Sequence, residues 1–206
     1  AASSSAGRQG VAKAMSGSGH VRGHRRKVLV VGGGLAGMAA VRELSRQFEV
    51  IVVDPKEYFE FTSGIMRAYA RPSHWDSLTF LYHTVLERTF GVSFIWGEVL
   101  SVDVSQKLAH VKSVFAEDVD EVAYDYCLVT GGCNFNQSLP TGESLWFPLV
   151  HGRNRAESAF QHLDERYLEG RRRRILEEHH SLQRLNRQQA NVLVVGAGFM
   201  GVEWAC

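Results

Sequence analysis

The sequence predicts an α/β fold, a parallel sheet with a small antiparallel layer, and three observations carry that reading. An apolar run, Val28–Val31, leads into the turn Gly32-Gly33-Gly34-Leu35-Ala36-Gly37 and a helix-forming stretch ending at Leu44. A second apolar run, Glu49 to Val53, ends in Asp54. The apolar run and glycine turn then recur at Asn191–Val195 and Gly196-Ala197-Gly198-Phe199-Met200-Gly201.

Continuous apolar runs of strand length suit parallel strands covered on both faces. Met38, Val41 and Leu44 follow at helical spacing, so the first unit reads strand, turn, helix, strand. Each glycine answers a separate physical demand. Gly32 permits the tight turn, Gly34 lets a pyrophosphate approach the backbone, and Gly37 lets the helix pack close to the strand. Unbonded amides and the positive end of the helix dipole then face the anion. Asp54 follows Gly32 by 22 positions, where a carboxylate hydrogen-bonds a free ribose and disfavours a 2′-phosphate. Gly33, Leu35 and Ala36 complete this first cradle; Gly196, Gly198 and Gly201 define a second. Two cradles imply two bound dinucleotides.

Between them, residues 55–72 read as a loop with a short helix, holding the aromatic cluster Tyr58-Phe59-Glu60-Phe61. A helix is expected from about Trp75 to Phe90, with Leu78, Leu81, Tyr82, Val85 and Leu86 on its apolar face. Four short strands follow, at Val92–Trp96, Glu98–Val104, Leu108–Val114 and Tyr124–Val129, and their spacing without helices suggests the antiparallel layer. The last of them runs into Thr130-Gly131-Gly132. From Ser158 to Gln189 the chain is polar with a helical pattern, and the run Arg171–Arg174, flanked by Glu177 and Glu178, reads as a solvated helix face.

Lys and Arg number 23 against 22 Asp and Glu, a formal net charge of +1, so no global field favours a nucleic-acid partner. Residues 1–26 contain no acid and several basic residues, which reads as a disordered basic leader. That composition matches organellar transit segments, so a mitochondrial or other organellar location is expected, with the cytoplasm as the alternative. Cys127, Cys133 and Cys206 form no CxxC pair and are too few for a disulfide scaffold. His74, His83, His110 and His151 have no metal-ligand spacing, and no metal is expected. The longest apolar runs are strand-sized, far short of the roughly 18 residues of a membrane-spanning helix.

Taken together, these segments resemble the two-dinucleotide-binding-domain flavoproteins, in which a Rossmann-like FAD domain is interrupted by an inserted NAD(P)H domain. Val28–Asp54 resembles the FAD fingerprint. Tyr124-Asp125-Tyr126-Cys127-Leu128-Val129-Thr130-Gly131-Gly132 resembles the second FAD motif, YDxLVxATG, with Thr130 in the alanine position and Gly131 in the threonine position. Gly97-Glu98-Val99 matches the stretch whose backbone meets the adenine, which brings Val99 to the cofactor. Glu203, two residues after Gly201, completes GxGxxGxE and is implied to lie near the nicotinamide and flavin. Residues 55–75 lack the cysteine pair of the disulfide reductases. Lys56–Thr62 instead resembles the NYFLFTP segment of type II NADH:quinone oxidoreductases and their apoptosis-inducing-factor-like kin.

The resemblance implies hydride transfer from NADH or NADPH to FAD and electrons passed on to a quinone or other small acceptor, with peripheral membrane contact through a C-terminal part. It divides the chain into the leader 1–26, an FAD-binding domain 27–150, a helical connecting segment 151–190, and the start of an NAD(P)H domain at 191–206. As such a fragment, residues 1–206 alone are expected to bind FAD weakly and not to turn over. Two rivals remain: a non-catalytic dinucleotide-binding sensor docking through Arg171–Arg174, and a reductase of a protein acceptor such as ferredoxin.

Overall fold

The apolar runs of the first unit become strands because each finds a parallel neighbour for its backbone amides. In the computed structural model, which describes residues 25–132, 165–194 and 196–205, β1 (Lys27–Val31) lies between β2 (Glu49–Asp54) and β8 (Tyr126–Val129). Helix α1 (Leu35–Leu44) joins β1 to β2 and buries Gly37 and Val41. The leader to residue 24, the segment 133–164 with Cys133 and His151, Val195 and Cys206 lie outside the described residues.

The strands expected at 92–96 and 98–104 are one element, β5 (Ser93–Asp103). Its first half pairs parallel with β2; its second half pairs antiparallel with β6 (Leu108–Ser113), with a register shift between Val99 and Ser101. A further strand, β7 (Val119–Ala123), pairs with β6 and had no expected counterpart, because Asp120 and Glu121 obscure its pattern. The sheet order is β7-β6-β5-β2-β1-β8, so one long strand serves both the parallel and the antiparallel part.

Two expectations for the middle of the chain need correction. Residues 58–60 form a strand, β3 (Tyr58–Glu60), and the single helix over 75–90 is split. Helix α3 (Trp75–Leu78) is one turn long, β4 (Thr79–Leu81) pairs antiparallel with β3, and a π-helical stretch (His83–Phe90) resumes the coil and ends at left-handed Gly91. The cause is tertiary: Phe59 stacks on Phe80 at 4.7 Å, and a β-branched and aromatic segment with a partner strand prefers extension. Helix α2 (Met66–Ala70) precedes this pair.

Helix α4 (Leu168–Arg187) lies against α2 and buries Ile175 beside Tyr58, Ile65, Ala68, Tyr69 and Trp75. It also overturns the solvated reading of the arginine run. Arg172 and Arg173 are exposed, but Arg171 and Arg174 have no exposed surface. Helical spacing of three puts those two on the inner face, where three buried acids meet them. Residues 191–194 form no strand: no described strand pairs with them, and an unpaired apolar segment leaves its ladder amides without partners.

Candidate dinucleotide-binding site

Gly32 follows β1 with a φ of +98°, and its N–H donates to the Val53 carbonyl at 2.8 Å. The chain then enters α1 at Gly34, an extended N-cap with no side-chain cap, so the first amides of the helix are left for an outside acceptor. A Cβ on Gly37 would sit 2.1 Å from the Gly32 carbonyl oxygen, whereas a Cβ on Gly34 would meet nothing within 4 Å. Gly37 thus serves helix packing and Gly34 faces open space, where a pyrophosphate would lie. Leu35 and Ala36 are exposed on the first turn of the helix.

Thr130-Gly131-Gly132 closes the other side of the turn. The Thr130 hydroxyl lies 2.7 Å from the Gly32 carbonyl and 3.1 Å from that of Val31, and its backbone N–H donates to Val31 at 2.8 Å. This side chain therefore braces the first turn. Gly131 and Gly132 have open space where a Cβ would project, and Gly132 has a φ of +71°. Val99 is half-buried and packs against the core cluster that holds Leu29 and Val53.

Asp54 ends β2 and is buried. Its carboxylate accepts the Gly33 N–H at 2.8 Å and the Lys56 N–H at 2.9 Å, so the acid and the glycine turn are one rigid unit. Burial pushes its carboxyl above the ordinary value, against the opposing pull of Lys56 and the two amides. Tyr82 covers this unit: a Cβ on Gly33 would fall 2.6 Å from the Tyr82 ring and hydroxyl. Burial, and then the Asp54 charge, raise the Tyr82 phenol. Nothing in the pattern of the expected helix distinguished Tyr82 from its apolar neighbours; only the fold brings it here.

The second cradle repeats the first in local geometry. Gly196 has a φ of +116°, a Cβ on Gly201 would sit 1.9 Å from the Gly196 carbonyl oxygen, and a Cβ on Gly198 would meet nothing within 4 Å. Helix α5 (Phe199–Ala205) follows, and Val202 donates its N–H to Gly198 at 3.0 Å, as Met38 does to Gly34 at 2.9 Å. Trp204 packs near Tyr69 of α2, ring centroids 6.4 Å apart. Glu203 lines a groove of about 260 Å³ with Met66, Arg67 and Ala70 of α2, Leu182 of α4 and Trp204. Sequence spacing pointed to Glu203 but not to Arg67, which enters the groove only because α4 and α5 dock on α2.

Two glycine cradles of the same geometry, the first tied to a buried acid and backed by a Thr-Gly-Gly turn, suit two dinucleotides. The chain belongs to the pyridine nucleotide-disulphide oxidoreductase family, whose pattern matches residues 26–206. The cofactors of this family are FAD and NAD(P)H, and the open space beside Gly34, Gly131, Gly132 and Gly198 fits their phosphates and backbone approach. The chain is 30% identical over 110 residues to apoptosis-inducing factor homolog B of Dictyostelium discoideum, covering 53% of this chain and 26% of that protein. It is 28% identical over 113 residues to a probable mitochondrial NADH-ubiquinone oxidoreductase of Schizosaccharomyces pombe, covering 52% and 20%. Among solved structures it is similar in fold to NADH:rubredoxin oxidoreductase from Clostridium acetobutylicum, with a TM-score of 0.55, 14% identity, and coverage of 87% and 40%. The chain thus spans about a quarter or less of the curated relatives it matches here.

Among the described residues no group of three or more His, Cys, Asp or Glu is placed to hold a metal ion, and no helix is long and apolar enough to cross a membrane. Cys127 lies half-buried in β8, and burial raises its thiol. Cys133 and His151 lie outside the described residues.

Proposed function

We propose that this chain carries the flavin site of an oxidoreductase that takes a hydride from NAD(P)H onto FAD and passes the electrons to a quinone. The observation that supports it best is the pairing of two cradles in one chain, Gly32–Gly37 and Gly196–Gly201, with the second docked against the first lobe through Trp204 and Tyr69.

When bound, FAD supplies the two-electron chemistry and the protein supplies binding and orientation. The amides of α1 and the Gly34 backbone hold the pyrophosphate of FAD, and Asp54 seats its ribose. Gly131 and Gly132 leave its approach clear, while Thr130 fixes the turn they flank. Gly196, Gly198 and Gly201 hold the phosphates of NAD(P)H in the same way. Glu203 and Arg67 place opposite charges on one groove, which orients a polar ring system between apolar Met66, Leu182 and Trp204. The resemblance of Lys56–Thr62 to the quinone-reducing group and the name of the fission-yeast relative support a quinone as acceptor. That name and the acid-free leader also support a mitochondrial site of action, and a C-terminal part would make any membrane contact.

The test is direct. Full-length protein should purify yellow, oxidise NADH, and reduce a soluble quinone; a colourless protein that retains no added FAD refutes the proposal. The rival in which Arg171–Arg174 forms a docking surface loses its support, because Arg171 and Arg174 face inward and are buried.

A further inference from the structure

The aromatic packing around Tyr82 aims its phenol at the first glycine turn. Its ring belongs to the core that holds Val30, Phe59 and Leu86, with Phe94 at 5.0 Å and Phe80 edge-on at 6.3 Å. Its backbone N–H donates to the Glu57 carbonyl at 3.0 Å, which ties it to the segment leaving β2. The phenol stands against Gly33, where a Cβ would lie 2.6 Å from its oxygen. Gly33 is also the residue whose N–H reaches Asp54 at 2.8 Å, so turn, acid and phenol converge.

Tyr82 has no exposed surface, and among the described residues its hydroxyl meets no acceptor in full hydrogen-bond geometry. A buried hydroxyl without a partner is destabilising, so phenylalanine would suit a purely structural position better. The charge that acts on this phenol most is Asp54, and the phenol in turn favours the Asp54 carboxylate. The other groups facing the pair are Lys56, which also favours the carboxylate, together with Glu60 and Tyr58. A sugar diol donates its protons, so it binds an ionised carboxylate and loses acceptor capacity when that group is protonated. Burial pushes Asp54 toward the protonated form, and the phenol opposes it.

We propose that Tyr82 is a positioning residue of the first cradle: its phenol, set against Gly33 and beside Asp54, supports the acid in the ionised form that accepts the ribose hydroxyls of the dinucleotide. It acts through Asp54, and it carries dinucleotide binding to lower pH than a buried carboxylate alone would allow. The inference rests on the FAD reading of that cradle and adds a residue from a segment outside the glycine motif.

The test is a pH profile of FAD affinity, measured by equilibrium dialysis on full-length apoprotein for the wild type, Tyr82→Phe, Asp54→Asn and the double variant. Tyr82→Phe keeps the ring and removes one buried oxygen, which isolates the hydroxyl from the packing. Wild-type affinity should fall as pH is lowered through the Asp54 titration. In Tyr82→Phe the fall should begin about one pH unit higher, the size of one hydrogen bond to a charged group. At the alkaline end the two proteins should agree within about twofold. In the Asp54→Asn background the same substitution should move nothing. Superimposable profiles for wild type and Tyr82→Phe, equal weakening at every pH, or a shift that persists without Asp54 each overturn the inference. The first comparison decides even where Asp54→Asn fails to fold. Where the wild type retains FAD, these results bear on Tyr82 alone, whereas a wild type that retains no FAD at any pH overturns the flavin reading as well.

Discussion

Arg171 of α4 reaches Glu60 of β3 through two hydrogen bonds, Nε to Oε2 at 2.8 Å and Nη2 to Oε1 at 3.2 Å, across 111 positions of sequence. Its third nitrogen donates to Glu165 at 2.8 Å, and Arg174 lies 3.1 Å from the other Glu165 oxygen and 3.8 Å from Glu178. Burial alone would make the Arg171 guanidinium less basic, but Glu60, Tyr69 and Glu165 outweigh it and push the value well up. This cluster fastens the helix that leads to the second cradle onto the first lobe.

Breaking a buried pair leaves a charge without compensation. Glu60→Gln should therefore destabilise the fold by about 3–5 kcal/mol, read as a lower midpoint in urea unfolding. Arg172→Glu and Arg173→Glu, whose pairs with Asp76 and Glu169 are exposed, should each cost no more than about 1 kcal/mol. Equal effects at Glu60 and at the two outer arginines would contradict the burial of the Glu60–Arg171 pair.

The two cradles can be disabled separately. A methyl on Gly37 collides with the Gly32 carbonyl, and a methyl on Gly201 with the Gly196 carbonyl; backbone cannot yield as a side-chain tip does. Gly37→Ala in the full-length protein should lose flavin, seen as loss of visible absorption. Gly201→Ala should stay yellow and fail to be reduced by NADH. A yellow Gly37→Ala protein would show that the first turn can relax.

Asp54 sets up a pH test whose sign follows from its burial. Its carboxyl is raised, so the folded state holds the proton more firmly than the unfolded state. Its contribution to stability is then present near and below the ordinary carboxylate range and is lost as pH rises through the folded value. Asp54→Asn keeps the shape but gives up a buried amide partner, costing about 1–3 kcal/mol at pH 4. The gap to wild type should narrow at pH 7, measured by urea midpoints at the two pH values. A wider gap at pH 7 would show that the amides of Gly33 and Lys56 favour the anion more strongly than burial opposes it.

At the alkaline end the buried phenols decide. Burial raises Tyr58, Tyr69 and Tyr82, with Tyr69 reaching about 12. Unfolded tyrosines ionise near 10, so stability should fall from about pH 10 upward, by roughly 1.4 kcal/mol per pH unit for each of the three. A cooperative unfolding step is expected near pH 11, with phenolate absorbance and loss of secondary structure rising together. Phenolate appearing in full before any unfolding would place these rings in contact with water.

The first cradle was legible in the sequence because its determinants are local. Val28–Val31, Gly32, Gly34, Gly37 and Asp54 each state a backbone requirement that neighbours in the chain can meet. The strand pair Tyr58–Glu60 and Thr79–Leu81 was not legible, since the helical spacing of Leu78, Tyr82, Val85 and Leu86 hides a partner some twenty residues away. The arginine run misled for a related reason. Four adjacent like charges suggest solvent, and only the fold supplies the three acids that bury two of them. Tyr82 gave no signal because its role depends on how the segment after β4 packs over the glycine turn.

Strand β7 ends the sheet on one side, and no described strand lies beyond it. Its exposed Asp120 and Glu121 have a consequence for the protein's solution behaviour. A second molecule trying to lengthen the ladder would set carboxylate against carboxylate along the seam. This border is thus electrostatically fenced against fibril-like stacking, and neutralising both acids should make the protein prone to precipitate.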